Sequence, residues 1–104
     1  MNFSQALHNL KFQKCISREG WNGKGMWLGL CTNWNGNVGA AGLNFKMLPF
    51  IYMRTAQGDF VPWLASQTDI LADDWQIVEV SSDGTAIPVA QGTRGDQDGF
   101  DATQ

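Results

Sequence analysis

The stretch FVPWLASQTDILADDW, from Phe60 to Trp75, holds the sharpest structural signals of this chain and sets the elements on either side of it. Val61 precedes a proline and is therefore biased toward extended conformations, so we expect a strand to end here. Pro62 confines that strand to the edge of a sheet, because proline has no N–H to give to a neighbouring strand. Ser66 and Asp69 stand three residues apart as in a capping box, which predicts a short helix directly after the strand.

The same stretch supports two interpretations of its polar and aromatic side chains. In the first, the free amides at the start of the short helix hold an anion, while Trp63 and Trp75 hold a flat ring. In the second, both tryptophans belong to the core, Ser66 only caps the helix, and Asp69 and Asp73 are solvated acids of its first turn.

The rest of the chain predicts an α+β fold in which an N-terminal helix packs on an antiparallel sheet and a second short helix follows. Asn2 and Gln5 form a capping box, and helical spacing is seen at Phe3, Ala6, Leu7 and Leu10. Strand signals follow at residues 26–31, 48–55, 59–64, 75–80 and 85–89, after a first short strand that ends before residue 19. Gln57-Gly58 and Asp83-Gly84 are the expected hairpin turns, and residues 32–42 are expected to form a polar loop or a hairpin tip at Asn35-Gly36.

Size and charge limit the partners of this chain. With 104 residues it is expected to form one domain, and only 16% of the residues are charged while 12% are aromatic. A weakly charged, tryptophan-rich surface favours contacts between copies, so we expect a homo-oligomer. The net charge of -3 and the lack of a basic run argue against a nucleic acid polymer as a partner.

Metal, membrane and disulfide chemistry are not expected. Cys15, Cys31 and the single His8 lack the spacing of a metal site, so we expect no metal and no other cofactor. No apolar run approaches the length of a membrane span, and the N-terminus lacks a signal-peptide pattern, so the protein should be cytosolic with reduced thiols. Residues 1–90 are expected to form the domain, and residues 91–104, rich in aspartate with a lone Phe100, an acidic mobile tail.

Recognition is better supported by the sequence than catalysis. The patterns GxSxG, HExxH, GxGxxG and the P-loop are absent, and His8 has no context as a general base, so we do not expect an enzyme. Five tryptophans exceed the needs of a small core and suit stacking on a flat ligand. Asp69 suits ribose hydroxyls or a base N–H, whereas Arg54 and Lys24 suit a phosphate. The candidate ligand-binding residues are Trp21, Asn22, Lys24, Arg54, Ser66, Gln67, Thr68, Asp69 and Trp75.

Four segments also carry a resemblance to a known family: MNFSQAL, REGWNGKGM, LPFIYMRTAQG and VPWLASQTDILADDWQIV. They closely resemble a family of small phage proteins, formerly a domain of unknown function, that is described as the second type of Thoeris anti-defence protein. The resemblance covers residues 1–80, and the segment from Val61 to Val78 is long and specific. The loop around Trp34 and the residues after Val80 depart from the family's pattern.

The resemblance implies a homotetrameric α+β protein in the cytoplasm of the infected bacterial host. Such a protein binds and sequesters the cyclic ADP-ribose-type signal made by TIR-domain enzymes, and some relatives also capture guanine-containing cyclic dinucleotides at a separate site. The binding residues that it carries over to this chain are Trp21, Asn22, Ser66 to Asp69 and Trp75.

The sequence therefore leaves three candidate functions. The first is a non-enzymatic sponge for a small cyclic nucleotide. The second is a phage structural or assembly protein whose tryptophan-rich faces meet only other protein chains. The third, a hydrolase of the same signal, has the least support because the sequence offers neither a metal site nor a base.

Overall fold

The computed structural model describes residues 1–21, 24–33, 35–38 and 43–89 of the chain. The helices are α1 (Phe3–Lys11) and α2 (Gln67–Ile70), and a 3₁₀ turn covers Glu19–Trp21. The strands are β1 (Cys15–Arg18), β2 (Trp27–Cys31), β3 (Asn35–Val38), β4 (Leu43–Lys46), β5 (Phe50–Arg54), β6 (Phe60–Pro62), β7 (Trp75–Val80) and β8 (Ala86–Pro88). This set of elements confirms the predicted α+β class.

Six strands form one antiparallel sheet in the order β6-β5-β2-β1-β7-β8. Its register places Leu28 opposite both Ile16 and Met53, and Ile16 opposite Ile77. β3 and β4 pair with each other as a separate two-stranded sheet. The first two strands of the chain therefore lie at the centre of the large sheet, and two hairpins extend it outward on either side.

Helix α1 packs across the central strands and closes one side of the sheet. Its capping box is present, because Asn2 and Gln5 each donate a backbone N–H to the other's side-chain oxygen at 2.9 Å. Ala6 and Leu10 are fully buried in a core that also contains Ile16, Leu28 and Trp75. Burial of a side chain such as Leu10 is worth about 2 kcal/mol, so this contact holds the helix on the sheet.

The register divides the large sheet into two faces, because residues opposite each other in neighbouring strands point the same way. The face that α1 covers, here called the helix face, carries Ile16, Arg18, Leu28 and Trp75. The opposite face, here called the far face, carries Trp27, Tyr52, Arg54 and Phe60. The turn between β7 and β8 lies against the far face, where Nε1 of Trp27 donates a hydrogen bond to the Gly84 carbonyl at 3.0 Å.

Both expected hairpins of the large sheet are confirmed. In the first, Thr55 N–H donates to the Asp59 carbonyl at 2.7 Å, and Gly58 takes a φ of +95° that favours glycine. In the second, β7 pairs with β8 around Gly84, whose φ is +89°. The proline-containing strand β6 is an edge strand, as Pro62 predicts.

The expectation of a polar loop over residues 32–42 is wrong at residues 35–38, and residues 39–42 lie outside the described residues. Asn35–Val38 forms β3 and pairs with β4, so Asn35 and Gly36 lie inside a strand and are neither loop nor hairpin tip. Asparagine and glycine are poor strand formers, and pairing with a partner strand has overridden that preference. Trp34 and residues 91–104 lie outside the described residues, so the division into a domain and an acidic tail stays a prediction.

Candidate functional site

Helix α2 begins at Ser66, just beyond the edge strand β6. The Ser66 backbone is extended, and its Oγ accepts the Asp69 N–H at 3.1 Å, so the predicted serine cap is confirmed. The Asp69 carboxylate does not return this bond to the cap, because it faces Arg18 instead. The helix is thereby fixed at both ends of its single turn, by its own cap and by a residue of the central sheet.

Arg18, at the end of β1, joins α2 to the segment that leads into β7. Its Nη1 donates to Asp69 Oδ1 at 2.8 Å, and its Nε donates to Asp74 Oδ1 at 2.8 Å. The planar guanidinium carries donors on two edges, so one arginine can hold two carboxylates in fixed positions. The side chains of Arg18 and Asp69 are 17% and 16% exposed, so water screens the pair only in part. Arg18, Asp69 and Asp74 are here called the Arg18 cluster.

Asp74 extends the Arg18 cluster to the glycine-rich turn between β1 and β2. Its Oδ2 accepts the Gly20 N–H at 2.8 Å, and its carbonyl accepts the Glu19 N–H at 3.0 Å. Hydrogen bonds from Arg18, supported by the Gly20 amide, hold the pKa of the Asp74 carboxyl below its usual value. A Cβ on Gly20 would lie 2.8 Å from Asp74 Oδ2, so glycine leaves the room that this contact needs.

An aromatic cluster centred on Trp75 lies beside the Arg18 cluster. Nε1 of Trp75 donates to the Asp69 carbonyl at 2.9 Å, which links the two clusters directly. The Trp21 and Phe3 rings lie 5.4 and 5.5 Å from the Trp75 ring, and the Trp63 ring lies at 6.1 Å. Trp75 is 2% exposed, whereas the three surrounding rings are half-buried. The indole of Trp21 is therefore held edge-on against a buried ring and still meets solvent.

The structure brings most of the predicted binding residues to this one place on the helix face. The residues that meet there are Trp21, Ser66, Gln67, Thr68, Asp69 and Trp75. The exposed Lys24 belongs to the same turn as Trp21, and its N–H donates to the Trp21 carbonyl at 3.3 Å. Arg54 lies on the far face of the sheet, away from the others. Asn22 lies outside the described residues.

The geometry changes the expected roles of two parts of this site. Trp75 offers no stacking face, because its indole is covered on all sides and belongs to the core. Helix α2 has only one turn, and Ser66 Oγ already accepts the hydrogen bond of the Asp69 N–H. The Asp69 carboxylate also lies at this end of the helix. A short helix beside a carboxylate gives an anion little attraction, so this geometry does not favour the expected anion site at the start of α2, which stays a prediction.

Sequence reasoning did not identify Arg18 as part of the site. The available signal was electrostatic: Asp69, Asp73 and Asp74 form an acidic cluster in the sequence, and such a cluster favours a nearby cation. The arginine lies 51 positions from Asp69 in sequence. Its contact with Asp69 follows from the pairing of β1 with β7, which the local sequence pattern does not specify.

Elsewhere, the far face carries an apolar pocket of about 500 Å³, lined by Cys31, Met47, Phe50, Tyr52, Phe60, Val61 and Pro62. Both cysteines are free, and burial raises the pKa of the Cys15 thiol, so it stays protonated at neutral pH. Within residues 1–21, 24–33, 35–38 and 43–89, no three His, Cys, Asp or Glu side chains come close enough to hold a metal. No helix in the described part of the chain is long and apolar enough to cross a membrane.

Comparison with known proteins places the sequence of this chain in a family. Residues 1–78 match the family model described as the Thoeris anti-defense 2-like domain. The protein Thoeris anti-defense 2 of Bacillus phage SP01 is 36% identical to this chain over 87 residues. The match spans 75% of this chain and 94% of the phage protein. Helix α1, helix α2 and every member of the Arg18 cluster fall within residues 1–78. The chain therefore belongs to the Thoeris anti-defense 2-like family.

Proposed function

We propose that this protein binds and sequesters a cyclic ADP-ribose-type signal, or a cyclic dinucleotide, and thereby blocks Thoeris defence without degrading the signal. The observation that carries the proposal is the family match over residues 1–78, which supports a phage anti-Thoeris role. The chemistry of the site beside Trp21 supports the finer statement, that the role is exercised by binding a small cyclic nucleotide.

The site offers a fixed aromatic ring next to fixed polar groups. Trp21 is held by the buried Trp75, and stacking of a base on such an indole is worth about 1 to 3 kcal/mol. The exposed side chains of Gln67 and Thr68 supply donors and acceptors. Among the described contacts Asp69 uses only Oδ1, toward Arg18, which leaves Oδ2 for a ribose hydroxyl or a base N–H. Because Arg18 already orders Asp69, little side-chain entropy remains to be lost on binding.

Electrostatics orient such a ligand. The acids Asp69, Asp73 and Asp74 outnumber Arg18, so phosphate oxygens are disfavoured beside α2 and hydroxyl or N–H groups are favoured there. The exposed Lys24 ammonium, in the same turn as Trp21, is the cation placed to meet a phosphate. We therefore place the sugar or base edge toward Asp69 and the pyrophosphate toward Lys24.

Sequestration fits this chemistry better than hydrolysis. A general base needs a pKa near the working pH, but the hydrogen bonds from Arg18 lower the pKa of Asp74 and make its carboxylate a weaker base. Burial raises the pKa of the Cys15 thiol, so the thiol stays protonated at neutral pH and is a weak nucleophile. We therefore propose that the ligand is captured and held without chemical change.

We further propose that the protein acts as a homotetramer in the cytoplasm of the infected host. Three leucines, Leu48, Leu64 and Leu71, are 84%, 92% and 75% exposed, and contact between copies would remove them from water. A sedimentation mass of one chain at micromolar concentration contradicts this assembly.

One experiment tests the proposed function and its competitors. The protein is incubated with the signal made by a TIR-domain enzyme, the free signal is measured, and the mixture is then heated to denature the protein. We expect depletion of free signal followed by return of the intact molecule. Depletion without return of the signal indicates a hydrolase. If no cyclic ADP-ribose isomer or cyclic dinucleotide binds with a Kd below about 10 μM, equivalent to a binding free energy of roughly -7 kcal/mol, the structural-protein hypothesis takes the place of the proposed function.

A further inference from the structure

Arg54 is the predicted phosphate contact that the structure separates from the other binding residues. It ends β5 on the far face, opposite Trp27 and Phe60. Its Nη1 donates a hydrogen bond to the Gly25 carbonyl at 2.7 Å. Gly25 closes the glycine-rich turn that begins with Gly20, so Arg54 holds the opposite end of the turn from the Arg18 cluster.

Three turns meet around the Arg54 guanidinium, and each presents a glycine with positive φ to it. Gly25, Gly58 and Gly84 have φ values of +82°, +95° and +89°. A Cβ at these positions would lie 2.7 Å from Nη1, 3.6 Å from Nη2 and 3.1 Å from Nε, respectively. Glycine is thus needed twice over at Gly25 and Gly84, for the backbone angle and for the space that the arginine fills. The guanidinium packs against backbone on several sides, which leaves it poorly placed for a bulky anion.

We propose that Arg54 is a positioning residue for the glycine-rich turn, which it fixes by its bond to Gly25, and that it does not contact the phosphate of the ligand. The turn is then held at both ends by an arginine: Arg18 through Asp74 and Gly20 on the helix face, and Arg54 through Gly25 on the far face. Trp21 lies between these two anchors and is itself packed on Trp75. Arg54 acts on Trp21 from across the sheet.

The effect on ligand binding rests on the proposed function, but the effect on Trp21 does not. Without the bond to Gly25 the turn gains conformations at its second anchor, and the indole of Trp21 loses its fixed place. Ordering the turn again on capture of a ligand then costs entropy that the wild-type protein has already spent. The expected result is weaker binding together with an altered Trp21 in the ligand-free protein.

The test compares Arg54→Gln with Lys11→Gln, a control that removes one exposed cation at the end of α1 and leaves the bond between Arg54 and Gly25 intact. Nitrogen–proton correlation spectra of the ligand-free proteins report the indole N–H of each tryptophan, with Trp21 assigned from Trp21→Phe and Trp63 as the internal reference. Arg54→Lys keeps a positive charge and a hydrogen-bond donor, and it replaces Arg54→Gln in the test if the glutamine variant does not fold. Gly25→Ala is the matched backbone variant, because its Cβ displaces the guanidinium.

We expect Arg54→Gln to shift the Trp21 signal in the ligand-free protein while the Trp63 signal stays in place, and we expect Lys11→Gln to leave both signals unchanged. Calorimetry with cyclic ADP-ribose and its TIR-made isomers should then show at least a tenfold weaker Kd for Arg54→Gln. Arg54→Lys should recover part of the lost affinity. Adding Gly25→Ala to Arg54→Gln should weaken binding little further, because both changes disrupt the same bond between Arg54 and Gly25. An unchanged Trp21 signal in Arg54→Gln overturns the proposal. A loss of affinity in which ligand binding also depends less on salt than in the wild type overturns it too, because that result indicates a direct contact between Arg54 and a phosphate. If no isomer binds the wild type, the proposed function fails while the Trp21 shift still decides the role of Arg54.

Discussion

Arg18 and Asp69, 51 positions apart in sequence, are joined by a hydrogen-bonded ion pair of 2.8 Å between Nη1 and Oδ1. This contact attaches the one-turn helix α2 to the end of a central strand. A helix of four residues is too short to be stable by itself, so its place depends on its cap, on Trp75 and on this pair. The position of the residues that we propose to meet the ligand is therefore set by the sheet.

Replacing Arg18 by methionine should lower both stability and ligand affinity. The change keeps an apolar stem but leaves the carboxylates of Asp69 and Asp74 close together without their cation, at a cost of about 1 to 3 kcal/mol. Denaturant unfolding measures the loss. Arg18→Lys should recover less than half of it, because an ammonium does not reproduce the donors on two edges that meet the two carboxylates.

The control for this change is Lys11→Met, which removes one exposed positive charge at the end of α1. Both variants alter the net charge equally, so a general charge effect predicts equal results. Equal unfolding free energies for Arg18→Met and Lys11→Met contradict the role given to the Arg18 cluster.

The lowered pKa of Asp74 predicts a loss of stability in acid. Because its folded-state pKa lies below the usual value of 3.8, its contribution is complete above that pH and is lost as the pH falls through the folded-state pKa. Melting temperatures of the wild type and Asp74→Asn should therefore differ most near neutral pH and converge below about pH 4. The hydrogen bond from Ser81 lowers the pKa of Asp83 to about 2, so protonation of Asp83 in strong acid lowers the stability of both proteins alike. A difference that stays constant across the range contradicts this assignment.

Local sequence signals are sufficient for the helices and for both hairpins of the large sheet. The caps at Asn2 and Ser66 and the turns at Gly58 and Gly84 depend on side chains and backbone angles within about four residues, so the chain predicts them directly. The strand β3 shows the limit, since Asn35 and Gly36 carry turn signals and pair with β4 all the same. There, tertiary pairing decides the structure and the local pattern does not.

The site was predictable in its residue types but not in its geometry. The segment from Ser66 to Asp69 and the tryptophan at position 21 are distinctive in sequence, and the fold brings them together. The partner of Asp69 and the face on which Arg54 lies depend on the order of strands in the sheet, which single residues do not specify. For the same reason Trp75 passes from a candidate stacking residue to the centre of the core.

Removing the Trp21 indole should weaken ligand binding far more than it weakens the fold. Trp21→Ala deletes one of the three half-buried rings around Trp75, and we expect at least a tenfold weaker Kd for cyclic ADP-ribose isomers, or about 1.4 kcal/mol. Phe60→Ala, which removes a 59% exposed ring on the far face, is the control. Calorimetry should show the loss of affinity for Trp21→Ala alone, and both variants should keep the sedimentation mass of the wild type. Equal losses in both variants contradict a binding role specific to Trp21.

Both edges of the large sheet end in a proline, and this placement predicts how copies avoid pairing through their edges. Trp63 N–H donates to the Ile51 carbonyl, so Pro62, one residue earlier on β6, faces away from the sheet. Val89 N–H donates to the Ile77 carbonyl, so Pro88 on β8 faces away in the same manner. Each proline thus removes an outward donor that a second sheet would otherwise use.

Pro62→Thr should restore one such outward donor and promote edge-to-edge association. The matched control is Val61→Thr, because Val61 faces β5 and the change adds no outward N–H. We expect both variants to fold, and we expect the sedimentation mass of Pro62→Thr alone to grow with concentration beyond that of the wild type. An edge that is already covered in the native assembly gives a different result: Pro62→Thr and Val61→Thr then sediment alike, and β6 is assigned to a subunit contact.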